Sequence, residues 1–276
     1  NSTYPQDEIE RERGVILSEI GQSNDMPDDK VFENFYNLGF KNQSIGNAIL
    51  GSKESVSNFQ KSDLKDFCNT FYHSSNLIIG ISGKFEINKA KNQIEKKFSK
   101  VRNGSKSTKP KYIWHSGNYF EKRELEQSHI VFGVEGLSVK DESRLALNAL
   151  SIILGGGMSS RLFQELREKK GLCYTIFSFQ QQFSSSGILG IYSACNPKDT
   201  DDLLISSLSQ IKKLRGNIDY NDLNRAKAQM RANFIRAQDY TFNRLETNIR
   251  SLINHGKLFS KKDILEKIDR INISNL

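Results

Sequence analysis

The 276-residue sequence predicts an α+β or mixed-layer protein with helices packed on one face of a sheet, and hints at a repeated domain. Three observations carry this expectation. After residue 112 the elements read strand, helix, helix, strand, strand, helix. Both parts of the chain contain a short apolar strand run and an amphipathic helix of similar kind. Between them lies "VRNGSKSTKPKY" (101–112), rich in Gly, Ser, Pro and Lys and without an apolar period. The halves are placed at 1–102 and 113–276, with 103–112 as the linker. Both are expected to be partial, the first at its start and the second at its end.

The elements follow in order. Residues 7–21 read as a helix. "NDMPDD" (24–29) is a turn capping a second helix that starts near Lys30 and runs through "VFENFYNLGF". Residues 41–52 are loop. Asp63 to Tyr72 is a helix, with Leu64, Phe67, Cys68 and Phe71 at helical spacing. "NLIIGISG" (76–83) is a buried strand, apolar, β-branched and closed by Gly. Residues 86–99 form an amphipathic helix with Ile87, Ala90, Ile94 and Phe98 inward. Beyond the linker, 128–137 is a strand and 141–156 a helix with an Asp cap. Residues 159–171 form a second helix, with Ser159 or Ser160 as N-cap and Gly171 closing it. "LCYTIFSFQQQF" and "GILGIYSAC" are an antiparallel pair joined by 184–186. Helices follow near 198–214, over about 220–255, and from Ser260.

The first helix contains an anomaly. With Glu12 at zero on a helical wheel, Val15 falls at about 300°, Glu19 at about 340°, Ile16 at about 40° and Ile20 at about 80°. Two carboxylates thus share the apolar arc, while Glu10, Arg11, Gly14 and Ser18 take the opposite side. A carboxylate in an apolar setting is normally paired, protonated or bound to a metal. Glu12 and Glu19 are two turns apart, about 10 Å along the axis. Salt bridges from Arg13 or another element would explain them; so would a metal site.

Composition narrows the function classes. The most apolar stretch, Ala149 to Leu154, is far too short for a membrane span. The formal net charge is +8, but the Lys-rich runs at 87–100 and 105–111 lack interleaved stacking aromatics, so a nucleic-acid groove is not expected. Cys68, Cys173 and Cys195 form no CxxC and no even-numbered framework. His73, His115, His129 and His255 form no HxH or HxxxH pair. "LGGGMSSRL" (154–162) precedes a helix but lacks the GK[ST] of a phosphate loop and the GxGxxG of a dinucleotide site. Cys173 has no His placed to activate it. "GISGKF" (80–85) lacks the spacing of a nucleophile elbow. The start, "NSTYPQDEIE", has neither an initiator Met nor a signal-peptide core, and is read as the start of a processed chain or a fragment.

Taken together, "EIERERGVILSEI", "DMPDDKVFENFYNLGFKNQSIGNAILGSKESV", "FYHSSNLIIGISGKF" and "LGGGMSSRLFQELREKKGLCYTIFSFQQQFSSSGILGIYSACNP" resemble the pitrilysin/insulinase-type zinc metallopeptidases, the mitochondrial processing peptidase-like group. The similarity covers almost the whole chain. It implies a processing-peptidase-like α+β fold of two homologous half-domains, each a mixed, mostly antiparallel sheet with helices packed on one face, and a Zn2+ cofactor. It implies that Glu19 of the Glu–six residues–Glu pattern is a metal ligand and Glu12 a catalytic-site carboxylate that orients it. In the segment matching REKxGLxY it assigns Arg167 and Tyr174 as catalytic, substrate-binding residues.

One departure stands out. The family's HxxEH segment supplies two zinc-ligating histidines and the general base, and this sequence has no such motif. One carboxylate does not hold a catalytic zinc, which needs about three protein ligands. The resemblance therefore implies an inactive fragment of a zinc endopeptidase that cleaves unstructured peptides or presequences by metal-activated water. The alternative it implies is a non-catalytic partner or structural subunit of the same family. A peptide substrate and a homodimer or a heterodimer with a related subunit are the expected partners. A bacterial cytoplasm or periplasm is favoured over a mitochondrial matrix.

Overall fold

A computed structural model describes residues 2–106 and 109–276. Residues 107 and 108 of the expected linker lie outside the described residues. In chain order the helices are α1 (Gln6–Asp25), α2 (Pro27–Gly39), α3 (Lys53–Asn58), α4 (Lys61–Phe71), α5 (Ile87–Phe98), α6 (Arg144–Gly155), α7 (Thr200–Leu214), α8 (Tyr220–Gln238), α9 (Thr241–His255) and α10 (Lys261–Asp269). The strands are β1 (Ser128–Gly136), β2 (Cys173–Gln182) and β3 (Gly187–Cys195). The chain divides into two compact units, each assembled from separate stretches. Residues 1–22, 50–110 and 236–258 form one; residues 23–49, 111–235 and 259–276 form the other.

The first unit is helical. Its short helices start where side chains satisfy the free amides of the first turn. At α3, the Ser55 amide donates to Ser52 Oγ and the Ser52 amide donates to Ser55 Oγ, both at 3.0 Å. At α4, the Gln60 amide donates to Asp63 Oδ2 at 2.7 Å. The expected strand at 76–83 is not one. Residues 77–82 join no ladder, and Leu77, Ile78, Ile79 and Ile81 are exposed rather than buried. The run has strand composition, but among the described residues of this unit no second strand lies beside it. Strand propensity cannot form a ladder alone. Gly80 is held closely by α9: a Cβ there would sit 2.6 Å from Leu245 Cδ1.

The second unit is built on an antiparallel three-stranded sheet in the order β1-β3-β2. Phe132 pairs with Ile191 and Ile176 with Ser193. Alternation along β3 sends Ile191 and Cys195 to one face and Ile188 and Tyr192 to the other. The first face packs against Ala149 and Ile153 of α6, Leu203 of α7 and Ala226 of α8. The second is covered by Phe35 of α2, with Phe40, Phe179 and Trp114 around it. Helices therefore lie on both faces, where one was expected. α2 ends at Gly39 and the sheet begins at Ser128, a pairing no local pattern reports.

Two further differences concern helices. The long helix expected over 220–255 is two, α8 and α9. Tyr240 is extended (φ −93°, ψ 124°) and restarts the chain at Thr241. The helix expected over 159–171 is π-helical over Phe163–Lys169, with the Lys170 amide donating to Glu165 O at 3.1 Å. Asp222 ties this region to α8. Its carboxylate receives Arg161 at 2.6 Å and Arg225 at 2.7 Å, while Arg161 also donates to Lys213 O at 3.3 Å.

Candidate functional site

In the first unit, α1 presents Glu12 and Glu19 two turns apart on one continuous helix. The wheel placed both in an apolar arc, and the structure corrects this: both are exposed. Val15 between them is 48% exposed, and Ile20 is the one buried residue of the helix. A wheel gives the side on which a residue lies, not whether anything covers that side. Nor does Arg13 pair with either. Its guanidinium lies against Glu10 at 3.0 Å and donates to the carbonyls of Val56, Ser57 and Phe59 around the end of α3. Glu8 is likewise matched to Arg11. Among the described residues, Glu12 and Glu19 form no hydrogen bond or ion pair. They are two solvent-facing carboxylates with their oxygens free.

These residues do not by themselves fit a zinc ion. A zinc centre takes about three or four N, S or O ligands from the protein. Among the described residues, no group of three or more His, Cys, Asp or Glu side chains is placed to hold a metal. Glu19 can be one ligand of such a site, not the site.

In the second unit, Arg167 and Tyr174 lie on either side of one tight turn. Arg167 sits in the π-helical segment, its guanidinium 4.6 Å from the Phe163 ring centre. The segment closes with the Leu172 amide donating to Leu166 O at 2.9 Å. Gly171 makes the turn at φ 63°, which L side chains adopt only with strain. The chain then enters β2, and the ladder slips at once. Cys173 pairs with Cys195 and Thr175 with Ala194, so Tyr174 is an extra residue in a β-bulge. Bulges re-aim a side chain and often border functional sites. Tyr174 is 71% exposed, between the buried Cys173 and the exposed Thr175. Arg167 is exposed too, and its charge reaches the neighbouring Cys173. A phenol donor and a guanidinium thus stand uncovered beside a sheet edge, able to bind a peptide carbonyl.

The remaining candidates resolve structurally. Burial pushes the Cys173 and Cys195 thiols above the usual range, which disfavours a thiolate nucleophile. The glycine-rich turn is held by its own chain: Gln229 donates to Gly156 O at 2.8 Å and Gln164 to Met158 O at 2.7 Å. His129 is half-buried on β1, its Nδ1 3.0 Å from the Tyr192 hydroxyl of β3. Burial lowers its pKa, against the opposing charge of Asp28. The sequence signals neither this pair nor the bulge, because cross-strand register is not written locally.

Comparison with known proteins bears on this arrangement. A family model described as the Peptidase M16 inactive domain matches residues 58–230. An "uncharacterized zinc protease" of Rickettsia felis is 36% identical over 280 residues, covering 100% of this chain and 67% of that protein. A chain of complex III2 from Candida albicans superposes with a TM-score of 0.89 at 21% identity, covering 96% of this chain and 66% of that one. A protease from Helicobacter pylori gives 0.87 at 22% identity, covering 98% and 68%. The chain thus spans about two thirds of the length of these proteins, and the two structures show a shared α+β fold.

Proposed function

The chain belongs to the M16 peptidase family, the pitrilysin/insulinase type, and on that premise we propose that it is part of a zinc-dependent endopeptidase acting on unstructured peptides or presequences. The observation that carries this is the placing of Tyr174 by a β-bulge at an exposed sheet edge, with Arg167 one turn before it. The Tyr174 hydroxyl donates to a peptide carbonyl, a bond that strengthens as the oxygen gains charge in the transition state. Arg167 holds an adjacent backbone carbonyl or positions Tyr174. The peptide lies as an added strand, recognised first by its main chain.

Glu19 is proposed as one ligand of Zn2+, with Glu12 orienting the site. The other ligands come from outside the described residues, and this chain alone is inert as a protease. The stretches 1–102 and 113–276 are proposed as two homologous half-domains joined by the linker 103–112. A dimer, with itself or a related subunit, and a bacterial cytoplasm or periplasm complete the reading. Among the described residues no helix is long and apolar enough to cross a membrane.

The second reading is a non-catalytic subunit, favoured by the likeness in fold to a chain of complex III2. Peptide hydrolysis by the longest natural form of the protein, loaded with zinc, separates the two. The enzyme reading expects turnover, with Tyr174→Phe lowering kcat by about 10²–10³ and leaving KM little changed. Peptide binding without any turnover would leave the subunit reading.

A further inference from the structure

A guanidinium on a long, exposed side chain needs support before it can present its N–H groups in one direction. Three and four positions from Arg167, on either side, stand Phe163, Gln164, Lys170 and Gly171. Three of these offer it nothing. Gln164 turns back to the glycine-rich turn, where its Nε2 donates to Met158 O at 2.7 Å. The Lys170 ammonium donates to Ser206 Oγ of α7 at 2.9 Å. Gly171 has no side chain and makes the turn into β2. The carboxylate of Glu165 is matched to Lys169 at 3.3 Å. What remains for Arg167 is the ring of Phe163, 4.6 Å from its Cζ.

That ring is itself fixed. Phe163 opens the π-helical segment and is half-buried, beside the fully buried Leu162 and Leu166. A ring face orients a guanidinium without using its N–H donors, because the attraction is to the π cloud rather than to an acceptor atom. A carboxylate partner would hold the same side chain but occupy those donors. Among the described residues Arg167 forms no hydrogen bond or ion pair. Its N–H fork is therefore supported and still unused.

We propose that Phe163 is a positioning residue: its ring holds the Arg167 guanidinium in place and leaves the N–H fork free to receive a backbone carbonyl of the bound peptide. The proposal rests on the peptide-binding reading of Arg167 and goes beyond it by naming what orients that side chain. An arginine loses rotamer freedom on binding, and a ring that holds it beforehand removes part of that loss. An exposed cation–π contact corresponds to about two- to fivefold in affinity.

The test uses the whole chain and an unstructured, fluorescein-labelled peptide titrated by anisotropy. Phe163→Leu should weaken binding about two- to fivefold. Phe163→Tyr, which keeps the ring, should bind like wild type. In an Arg167→Ala background Phe163→Leu should have no further effect, a coupling that a merely structural role would not produce. Trp114 fluorescence checks that the variants remain folded. A second readout needs no change at position 163. The ring current should move the Arg167 Hδ resonances of the wild type upfield of ordinary arginine values, the signals being assigned by their absence in Arg167→Ala. Ordinary Hδ shifts overturn the proposal. So does Phe163→Leu that binds like wild type, or that weakens Arg167→Ala by the same factor as it weakens wild type. In each case weaker binding by Arg167→Ala alone spares the reading of Arg167. Arg167→Ala binding as tightly as wild type, or no peptide binding at all, overturns that reading and the proposal with it.

Discussion

Replacing Gly190 by Ala probes the aromatic layer beneath the proposed site. Gly190 lies mid-strand in β3, paired with Phe179 of β2. A Cβ at 190 would fall 2.3 Å from Phe179 Cζ, 2.6 Å from Cε1 and 2.9 Å from Cε2. Ordinary carbon contacts are about 3.5–4.0 Å, so the ring must retreat by more than an ångström. It has little room, with Phe32 at 5.2 Å and Phe35 at 6.2 Å on the α2 side. The backbone cannot yield without breaking the ladder. Overpacking of this kind costs about 1–3 kcal/mol. In bodies of this size that lowers the midpoint by ~3–10 °C. The single tryptophan is a built-in reporter, since Trp114 packs 5.6 Å from Phe35. Thermal unfolding followed by its fluorescence should show the drop. A midpoint within about 1 °C of wild type would refute the packing of Phe179 described here.

Further outcomes follow from other contacts. Asp222→Asn should destabilise the protein by about 1–3 kcal/mol, less than a fully buried pair would, because Asp222 and Arg161 keep 15% and 19% of their side chains exposed. Burial alone would raise the Asp222 pKa, but Arg161 and Arg225 together hold it below the usual value. Its contribution is therefore complete above the unfolded carboxylate pKa and is lost as pH falls through the folded one, a slope that chemical denaturation of Asp222→Asn should lack. His129 has the opposite chemistry with the same sign. Burial lowers its pKa, so stability should fall as pH drops below about 6.5, and the midpoint of a His129→Gln variant should depend less on pH there. Arg13→Ala removes the guanidinium from the carbonyls of Val56, Ser57 and Phe59, and limited proteolysis should then cut faster within 52–60. Tyr174→Phe should leave the melting midpoint unchanged, because the hydroxyl it removes belongs to an exposed side chain.

The parts of the fold legible in the sequence are those set by local period. β2 and β3 with their serine turn, α6, and the helix over 61–71 all follow from apolar spacing and caps. What failed depended on long-range neighbours. "NLIIGISG" has every local mark of a strand, yet a ladder needs a partner, and none lies beside it among the described residues. α2 covers the second face of the sheet through Phe35, a contact set by chain path rather than composition. At the site, Arg167 and Tyr174 came from a motif, and the motif marks residues without geometry. That Tyr174 is the extra residue of a bulge depends on its register with Ala194 and Cys195. Glu12 and Glu19 show the converse error. The wheel found their stripe correctly but assumed that it was covered, whereas both face solvent.

The central claim is that α1 contributes a metal ligand, and zinc content tests it most directly. The longest natural form of the protein, purified without chelator, would be compared with its Glu19→Gln variant by elemental analysis, with circular dichroism to show that both are folded. The account predicts about one zinc per chain in the wild type and loss of nearly all of it in the variant. Zinc retained in full by Glu19→Gln, or a folded wild type that takes up none, would contradict it.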